Sequence, residues 1–165
     1  MRNTIVLYGS STGTCQGIAE TIAQRLGAVA TNISACTKEA LENCSNLILG
    51  TSTWGSGEMQ DDWYEGVELL KGVSLSGKTV ALFGCGDGYT YSDTFCGGMR
   101  ELYDAVKEAG AKVVGFTSTH GYTFDDSAAV VNDMFVGLPL DEDNESDQTE
   151  ERINRWLSEI QKELV

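Results

Sequence analysis

The residues with the clearest chemical meaning are the small and hydroxyl-bearing residues at 10–14, which follow an apolar run at 4–8 and precede a helical pattern. A loop of this kind at a helix start can offer several backbone N–H groups to one phosphate, with the positive end of the helix dipole behind them. The stretch contains no lysine, so it is not the nucleoside-triphosphate loop, which requires Gly-Lys-[Ser/Thr]. We predict a site for one terminal phosphate. The alternative is a Ser/Thr-rich turn that only caps the helix.

Two further loops set aromatic residues among glycines. Trp54 lies between small residues at 51–58, and Tyr91 lies in a glycine-rich stretch at 84–93. Two aromatic walls beside a phosphate site predict a flat ring held between them, since stacking adds about 0.5–1.5 kcal/mol per aromatic pair beyond area burial. For either aromatic alone, a lid over the core is the alternative. The glycines of the second stretch do not follow G-x-G-x-x-G, so a dinucleotide site is not expected.

Strand and helix patterns alternate along the chain and must position these loops. Strands are predicted at 4–8, 28–33, 46–50, 78–84 and 112–116. Helices are predicted at 13–26 and 38–43, and a third around Trp63, Val67 and Leu70. A fourth helix is predicted from Phe95 through Met99, Leu102 and Val106 to Gly110. The last helix is predicted to begin with a capping box, in which Asp147 is the cap residue and Glu150 lies three positions later. This alternation predicts an α/β fold with a doubly wound parallel sheet. Ligands of such sheets bind beyond the carboxyl ends of the strands, where the three loops at 9–15, 51–60 and 85–93 lie.

Composition limits the classes of function. A chain of 165 residues predicts one domain spanning 1–165, and the formal charge of −14 argues against nucleic-acid and anionic-membrane partners. Basic protein surfaces are the expected partners, although surplus acid can also serve solubility alone. An odd count of five cysteines without a C-x-x-C pair and a single histidine, His120, predict free thiols and no metal site. With no apolar stretch long enough for a membrane span or a secretory signal, we expect a soluble, cytoplasmic protein.

At this point the chain closely resembles the flavodoxins, in particular the long-chain subgroup. The residues that carry the resemblance are Gly9-Ser10-Ser11-Thr12-Gly13-Thr14, Ser52-Thr53-Trp54-Gly55, Gly86-Asp87 with Tyr91-Ser92-Asp93-x-Phe95, Gly121-Tyr122-x-Phe124, Phe135-x-Gly137-Leu138 and Leu140-Asp141-Glu142-Asp143-Asn144. Flavodoxin and its FMN are themselves an example of the rule for ligand placement used above. The resemblance implies a five-stranded sheet in the order 2-1-3-4-5, with the fifth strand split by an insertion at 117–136.

The resemblance also implies a function: a monomeric low-potential one-electron carrier, not an enzyme, that shuttles between redox enzymes through the neutral semiquinone of non-covalently bound FMN. The Gly55-Ser56 peptide would turn its carbonyl toward flavin N5 on reduction, which glycine permits because it tolerates positive φ. The phosphate would lie on residues 10–15, Trp54 and Tyr91 would flank the ring, and Asp143 would lie on the ribityl side. The implied cofactor-binding residues are Ser10, Ser11, Thr12, Gly13, Thr14, Cys15, Thr51, Ser52, Thr53, Trp54, Gly55, Cys85, Gly86, Asp87, Tyr91, Phe95 and Asp143.

One residue departs from the family pattern. Cys15 stands where the family usually has threonine, and a thiol is a weak donor, so we expect one hydroxyl contact to the phosphate to be lost or weakened. The implied partners are basic-surfaced enzymes such as a flavodoxin/ferredoxin reductase. They would dock near Glu58, Asp61, Asp62 and Glu65, for which a merely solvated helix face is the alternative.

Three rival functions can be weighed from the residues. An FMN-dependent NAD(P)H:quinone reductase on the same fold is the main alternative, but it needs a substrate pocket over the ring, and two aromatic walls leave poor access. A receiver domain requires a phosphoacceptor aspartate after the third strand, where Gly50 and Thr51 stand instead. A cysteine phosphatase requires arginine six positions after the nucleophile, and Thr21 stands six positions after Cys15.

Overall fold

The computed structural model describes residues 3–55 and 57–165. The strands are β1 (Thr4–Gly9), β2 (Val29–Asn32), β3 (Asn46–Trp54), β4 (Glu58–Met59), β5 (Thr79–Cys85), β6 (Lys112–Val114), β7 (Thr117–Ser118), β8 (Val130–Val131), β9 (Met134–Phe135) and β10 (Leu138–Leu140). The helices are α1 (Thr14–Leu26), α2 (Lys38–Asn43), α3 (Asp62–Lys71), α4 (Met99–Glu108) and α5 (Ser146–Ile160), with a 3₁₀ turn at Ile33–Ala35. None of the helices in this described part of the chain is long and apolar enough to cross a membrane.

The central sheet is parallel and has the predicted strand order. β1 lies between β2 and β3, and β3 is followed outward by β5. The fifth position is shared: β6 pairs with residues 79–81 of β5, and β10 pairs with residues 83–85. The predicted order 2-1-3-4-5 and the split fifth strand are both confirmed.

Alternation along the strands covers both faces of the sheet with helices. On β1, Val6 and Tyr8 belong to one buried cluster and Leu7 to the other. The same alternation runs along β3 and β5, because successive side chains of a strand point to opposite faces. The cluster with Val6 is completed by α1 and α5, and the cluster with Leu7 by α3 and α4. Near-continuous apolar strands are typical of a parallel sheet that is buried on both sides.

The insertion between β6 and β10 contains a small antiparallel sheet in the order β7-β9-β8. It packs through a group of aromatic rings, with centroids of Phe124 and Phe135 at 5.1 Å and of Tyr122 and Phe135 at 5.3 Å. The chain then returns to the main sheet at Gly137, where an added Cβ would lie 2.2 Å from the carbonyl oxygen of Leu82. Only glycine allows so close an approach of two backbones.

Two predicted helix starts were wrong. α4 begins at Met99 and not at Phe95, because Cys96 has a left-handed φ of 53° and Gly98 passes so close to β3 that a Cβ would lie 2.9 Å from the Ser52 carbonyl oxygen. α5 begins at Ser146 after Glu145, with no side-chain cap, so Asp147 lies in the first turn and is not the cap residue. An acidic residue there still interacts favourably with the helix dipole.

Candidate functional site

A cavity of about 460 Å³ lies at the carboxyl ends of β1, β3 and β5. Its volume falls within the range of about 300–1,000 Å³ found for small-molecule sites. It draws together the three predicted loops and the segment after β10. The lining residues are Thr12, Thr14, Ser52, Thr53, Trp54, Gly55, Cys85, Gly86, Asp87, Tyr91, Thr94, Glu142 and Asp143.

The first loop leads into α1 with its N–H groups available. Gly13 precedes the helix with a φ of 93°, and no side chain among the described residues caps α1. Within the loop, Ser10 Oγ accepts a hydrogen bond from the Gly13 N–H at 3.1 Å. Thr12 and Thr14 line the cavity on either side of Gly13. An uncapped helix N-terminus flanked by hydroxyl groups has the chemistry of an anion site.

The second loop forms because β3 runs beyond its predicted end and turns back into β4, pairing Trp54 with Glu58. Thr51 Oγ1 fixes this hairpin by accepting a hydrogen bond from the Gln60 N–H at 2.9 Å. Trp54 remains 44% exposed, and its Nε1 donates to Ser52 Oγ at 2.7 Å. The ring is therefore oriented by its own loop while its surface stays available for contact with a ligand.

Gly55 follows Trp54 with a φ of 54°, in the left-handed region that favours glycine. An added Cβ would lie 3.2 Å from a carboxylate oxygen of Glu58, so a larger residue here would be both strained and crowded. The predicted turning of the Gly55-Ser56 peptide involves Ser56, which lies outside the described residues.

Asp87 organises the third loop. Its Oδ1 accepts hydrogen bonds from the N–H groups of Tyr89 at 3.1 Å and Thr90 at 2.8 Å, and from Asn144 Nδ2 at 2.8 Å. Partial burial acts to raise the pKa of Asp87, but the hydrogen bonds, led by that from Thr90, outweigh it and lower the pKa. Tyr91 follows with its side chain 60% exposed. The loop thus presents an ionised carboxylate and an open aromatic face.

The segment after β10 adds acidic groups to the same cavity. Asp141 is buried and accepts a hydrogen bond from the Gly88 N–H at 3.0 Å, which ties this segment to the third loop. Burial raises the pKa of Asp143, with further contributions from the charges of Asp87, Asp141 and Glu142. Among the described residues that line the cavity there is no lysine or arginine. An anion bound here must rely on neutral donors.

Six of the predicted site residues do not line the cavity. Ser11 contacts the second loop instead, where its Oγ accepts a hydrogen bond from Gln60 Nε2 at 3.1 Å. Ser10 and Gly13 shape the first loop from behind, and Thr51 is buried in the hairpin. The remaining two, Cys15 and Phe95, have buried side chains.

The Cys15 thiol is fully buried in the core. It lies beside Cys85, and a hydrogen bond with Cys85, followed by burial, raises the pKa of its thiol well above the ordinary value. We expected one hydroxyl contact to the phosphate to be lost or weakened at this position. The buried Cys15 side chain supports that expectation, since only its backbone N–H belongs to the helix N-terminus.

Phe95 is 1% exposed and lies behind the third loop. Its ring packs on Phe124 with centroids 5.6 Å apart and on Phe135 at 6.0 Å. It supports the loop that carries Tyr91 and does not reach the cavity surface. Contact between Phe95 and a cofactor stays a prediction, and the buried position of its side chain does not support it.

Sequence reasoning missed Thr94 and Glu142 in the lining and Gln60 as the link between the first two loops. Thr94 was hidden by the helix start predicted at Phe95. Glu142 is adjacent to Asp143 in the acidic run, and Asp143 was predicted as a cofactor-binding residue. That adjacency could have indicated Glu142 as well. Gln60 had no such signal, because its role depends on β3 turning back into β4.

The acidic residues expected to guide partners lie beside the second loop. Glu58, Asp61 and Glu65 are exposed and Asp62 is half-buried. The pairing of Glu58 with Trp54 places Glu58 beside a residue that lines the cavity. The hydroxyl of the exposed Tyr64 donates a hydrogen bond to Glu58 Oε2 at 3.3 Å.

A second cavity, of about 290 Å³, lies between the start of the insertion and α5. It is lined by Trp156, by the buried Arg152 and by His120, among others. No described residue of the three chemically distinctive loops lines this second cavity. The larger cavity is therefore the candidate functional site.

The fold and the site define the class: a doubly wound α/β protein with a cavity at the carboxyl ends of its strands, built from an uncapped helix start and two aromatic-bearing loops. The profile of the family described as Flavodoxin matches residues 6–156. The chain is 40% identical to a flavodoxin of Klebsiella pneumoniae over all of both chains, and 42% identical to one of Synechocystis over 94% of each. The solved structure of Fusobacterium nucleatum flavodoxin bound to flavin mononucleotide is similar over all of both chains, with 38% identity and a TM-score of 0.93. The chain belongs to the flavodoxin family.

Proposed function

We propose that this protein is a low-potential one-electron carrier that binds FMN non-covalently in the cavity at the carboxyl ends of β1, β3 and β5. The observation that carries the proposal is the joint presence, around one cavity, of an uncapped helix N-terminus and two exposed aromatic rings. Alone, the loop before α1 could be only a turn that begins a helix, and either aromatic ring could be only a lid over the core. Their combination matches a molecule with a phosphate at one end and a flat ring at the other. The flavin mononucleotide bound by the relative from Fusobacterium nucleatum has that shape.

The first loop would hold the phosphate. The N–H groups at the start of α1 and the hydroxyls of Thr12 and Thr14 supply the donors. Since no cation lines the cavity among the described residues, the phosphate charge stays without an ionic partner. This arrangement binds the anion while leaving a negative potential in the site.

The second and third loops would hold the ring. Trp54 and Tyr91 line the cavity and would supply two walls for the ring, and the backbone at 85–87 would meet its polar edge. FMN supplies reversible electron uptake, and the protein's contribution is to set the potential at which that occurs. The ionised Asp87 and the acidic Glu142 and Asp143 disfavour added negative charge, so they lower the potential.

The reductase alternative is not favoured. The relatives compared above are all named flavodoxins, and the family profile is that of flavodoxins. The aromatic residues on two sides of the cavity also leave little room for a nicotinamide to approach the ring face.

Four finer points belong to the same proposal. Residues 1–165 act as a single FMN-binding domain, the protein is a monomer, and it works in the cytoplasm. Its partners present basic surfaces, as a flavodoxin or ferredoxin reductase would, and dock over the rim formed by Glu58, Asp61, Asp62 and Glu65. The exposure of these carboxylates beside Trp54 supports that docking site.

Titration of the apoprotein with FMN, followed by quenching of flavin fluorescence, tests the proposal. We expect saturable one-to-one binding, and Trp54→Ala and Tyr91→Ala should each weaken it by about tenfold through the loss of stacking and buried area. Tyr89→Ala is the matched control: Tyr89 lies in the same loop as Tyr91 and is 85% exposed but does not line the cavity. An apoprotein that takes up no FMN, or equal losses for Tyr89 and Tyr91, would contradict the proposal.

A further inference from the structure

The loop that carries Tyr91 is held from two sides. On the side of the cavity, Asp87 accepts hydrogen bonds from its own loop and from Asn144. On the opposite side the loop contacts the insertion: the N–H groups of Asp125 and Asp126 both donate to the Ser92 carbonyl oxygen, at 2.9 and 3.0 Å. The Phe95 N–H donates to the Asp126 carbonyl oxygen at 3.3 Å.

One of these contacts is made by side chains. Ser92 Oγ donates to Asp125 Oδ2 at 2.8 Å, across 33 positions of sequence. A hydroxyl bound to a carboxylate is a charge-assisted hydrogen bond, stronger than one between neutral groups. It joins the residue directly after Tyr91 to the insertion.

Tyr91 depends on this backbone support. Among the described residues, none of the ring–ring contacts includes Tyr91, whereas Phe95, four positions later, contacts three rings of the insertion. The Tyr91 N–H donates to the Asp87 carbonyl oxygen at 2.9 Å, and its own carbonyl accepts from the Thr94 N–H at 3.2 Å. The direction of the Tyr91 ring is therefore set by the backbone at 87–95. The insertion holds that backbone at Ser92 and at Phe95, and Ser92 is the attachment next to Tyr91.

The insertion itself is firmly attached elsewhere. Tyr122 donates through its hydroxyl to the Pro139 carbonyl oxygen at 2.9 Å, and the Arg152 guanidinium lies 4.0 Å from the centre of the Tyr122 ring. The aromatic rings around Phe135 complete the packing. Loss of the exposed Asp125 carboxylate should leave this attachment in place, because surface contacts contribute little to global stability.

We infer that Asp125 is a positioning residue for the cofactor site: its carboxylate holds Ser92, and through Ser92 it holds the Tyr91 wall in the orientation that FMN requires. The inference rests on the proposed function. It assigns to the insertion a role in FMN affinity that is exerted through one side-chain contact and not through bulk packing.

The test compares Asp125→Ala and Ser92→Ala with the wild type. Both variants should weaken FMN binding by about threefold to tenfold, the range that one solvent-exposed hydrogen bond of typical net strength gives. The double variant should be no weaker than either single variant, because the two side chains act through one contact. In the apoprotein, amide hydrogen exchange at 91–94 should become faster while the global unfolding temperature stays nearly unchanged.

Two control variants separate the effect of losing the Asp125–Ser92 hydrogen bond from the effect of losing a negative charge. Removing a carboxylate near an anionic ligand should by itself tighten binding, which is the opposite sign. Asp133→Asn removes the same charge from an exposed position on the insertion and should not weaken binding. Asp125→Asn should keep most of the wild-type affinity for FMN, because the amide oxygen can still accept a hydrogen bond from Ser92 Oγ.

Unchanged FMN affinity and unchanged exchange in Asp125→Ala would overturn the inference, as would equal losses in Asp125→Asn and Asp125→Ala. If the wild type binds no FMN, the proposed function fails. The exchange measurement on the apoprotein remains a separate result, because it reports whether Asp125 holds 91–94 without any ligand.

Discussion

Asp87 and Asp143 line the same cavity, yet their carboxyl pKa values shift in opposite directions. Hydrogen bonds stabilise the ionised form of Asp87 and lower its pKa despite partial burial. For Asp143, burial and then the charges of Asp87, Asp141 and Glu142 disfavour the ionised form and raise its pKa. Proximity in the fold therefore does not make the two acids equivalent.

The two acids should contribute to stability with opposite dependence on pH. Asp143→Asn should stabilise the apoprotein at neutral pH, because it removes an unfavourable charge. This gain should fade as the pH falls through the raised pKa of Asp143 and vanish well below the ordinary value of 3.8, where the wild-type carboxyl is also neutral. Urea unfolding of the wild-type and Asp143→Asn apoproteins at several pH values measures this difference in the free energy of unfolding.

Asp87→Asn should destabilise the apoprotein at neutral pH. The contribution of Asp87 is present above its unfolded value of 3.8 and is lost as the pH falls through its lowered folded pKa. Asp93→Asn, an exposed residue of the same loop, controls for charge alone. The same sign for the variants at positions 87 and 143 would contradict this account.

At this scale the sequence identified residue types well and side-chain directions poorly. The chemistry of the loops could be predicted because small, hydroxyl-bearing and aromatic residues clustered after strands. The burial of Cys15 could not, since it depends on how α1 packs against the end of β5, where Cys85 lies.

The site lies where several secondary-structure elements end. β1, β3 and β5 all stop at the same edge, and the turn of β3 into β4 brings Trp54 to the cavity. Apolar runs predicted these strands because a buried parallel sheet needs them. The start of α4 was not predictable from periodicity, because Phe95 has the spacing of a helical core residue while Cys96 leaves the helical region of φ.

The return of the insertion to the sheet should be sensitive to a single methyl group. Gly137→Ala places a Cβ 2.2 Å from the Leu82 carbonyl oxygen, so β10 must shift away from β5. We expect a loss of about 1–3 kcal/mol or more in the free energy of unfolding, measured by urea denaturation of the apoprotein.

Gly17→Ala is the matched control for that change. Gly17 lies in α1 with nothing within 4 Å of an added Cβ, so alanine should stabilise the protein by about 0.5–1 kcal/mol through its helix propensity. A neutral effect of Gly137→Ala would show that the insertion does not return through a close backbone contact.

Across the whole molecule, the formal charge of −14 gives the protein a field that attracts basic surfaces. We expect the exposed carboxylates of Glu58, Asp61 and Glu65, which follow Trp54 in the chain, to direct that attraction toward the cavity. Such a surface favours fast association over tight binding. A carrier that must leave one partner before meeting the next needs that balance.

Electron transfer with a basic-surfaced reductase should slow as ionic strength rises, because the steering is screened. The double variant Asp61→Asn, Glu65→Gln should lower the association rate and flatten the salt dependence. The control is Glu42→Gln with Glu108→Gln, which removes two charges from α2 and α4 near the opposite edge of the sheet. Equal effects of the two double variants would show that net charge acts alone and that the rim is not the docking site.

The most direct test of the central claim is an anaerobic, stepwise reduction of the FMN-loaded protein followed by visible absorption. If the protein is a one-electron carrier, a separate long-wavelength band should grow with the first electron and decay with the second, and the second electron should be added at a markedly lower potential. A single two-electron bleaching with no intermediate band would contradict the claim and would favour a flavin-dependent reductase on the same fold.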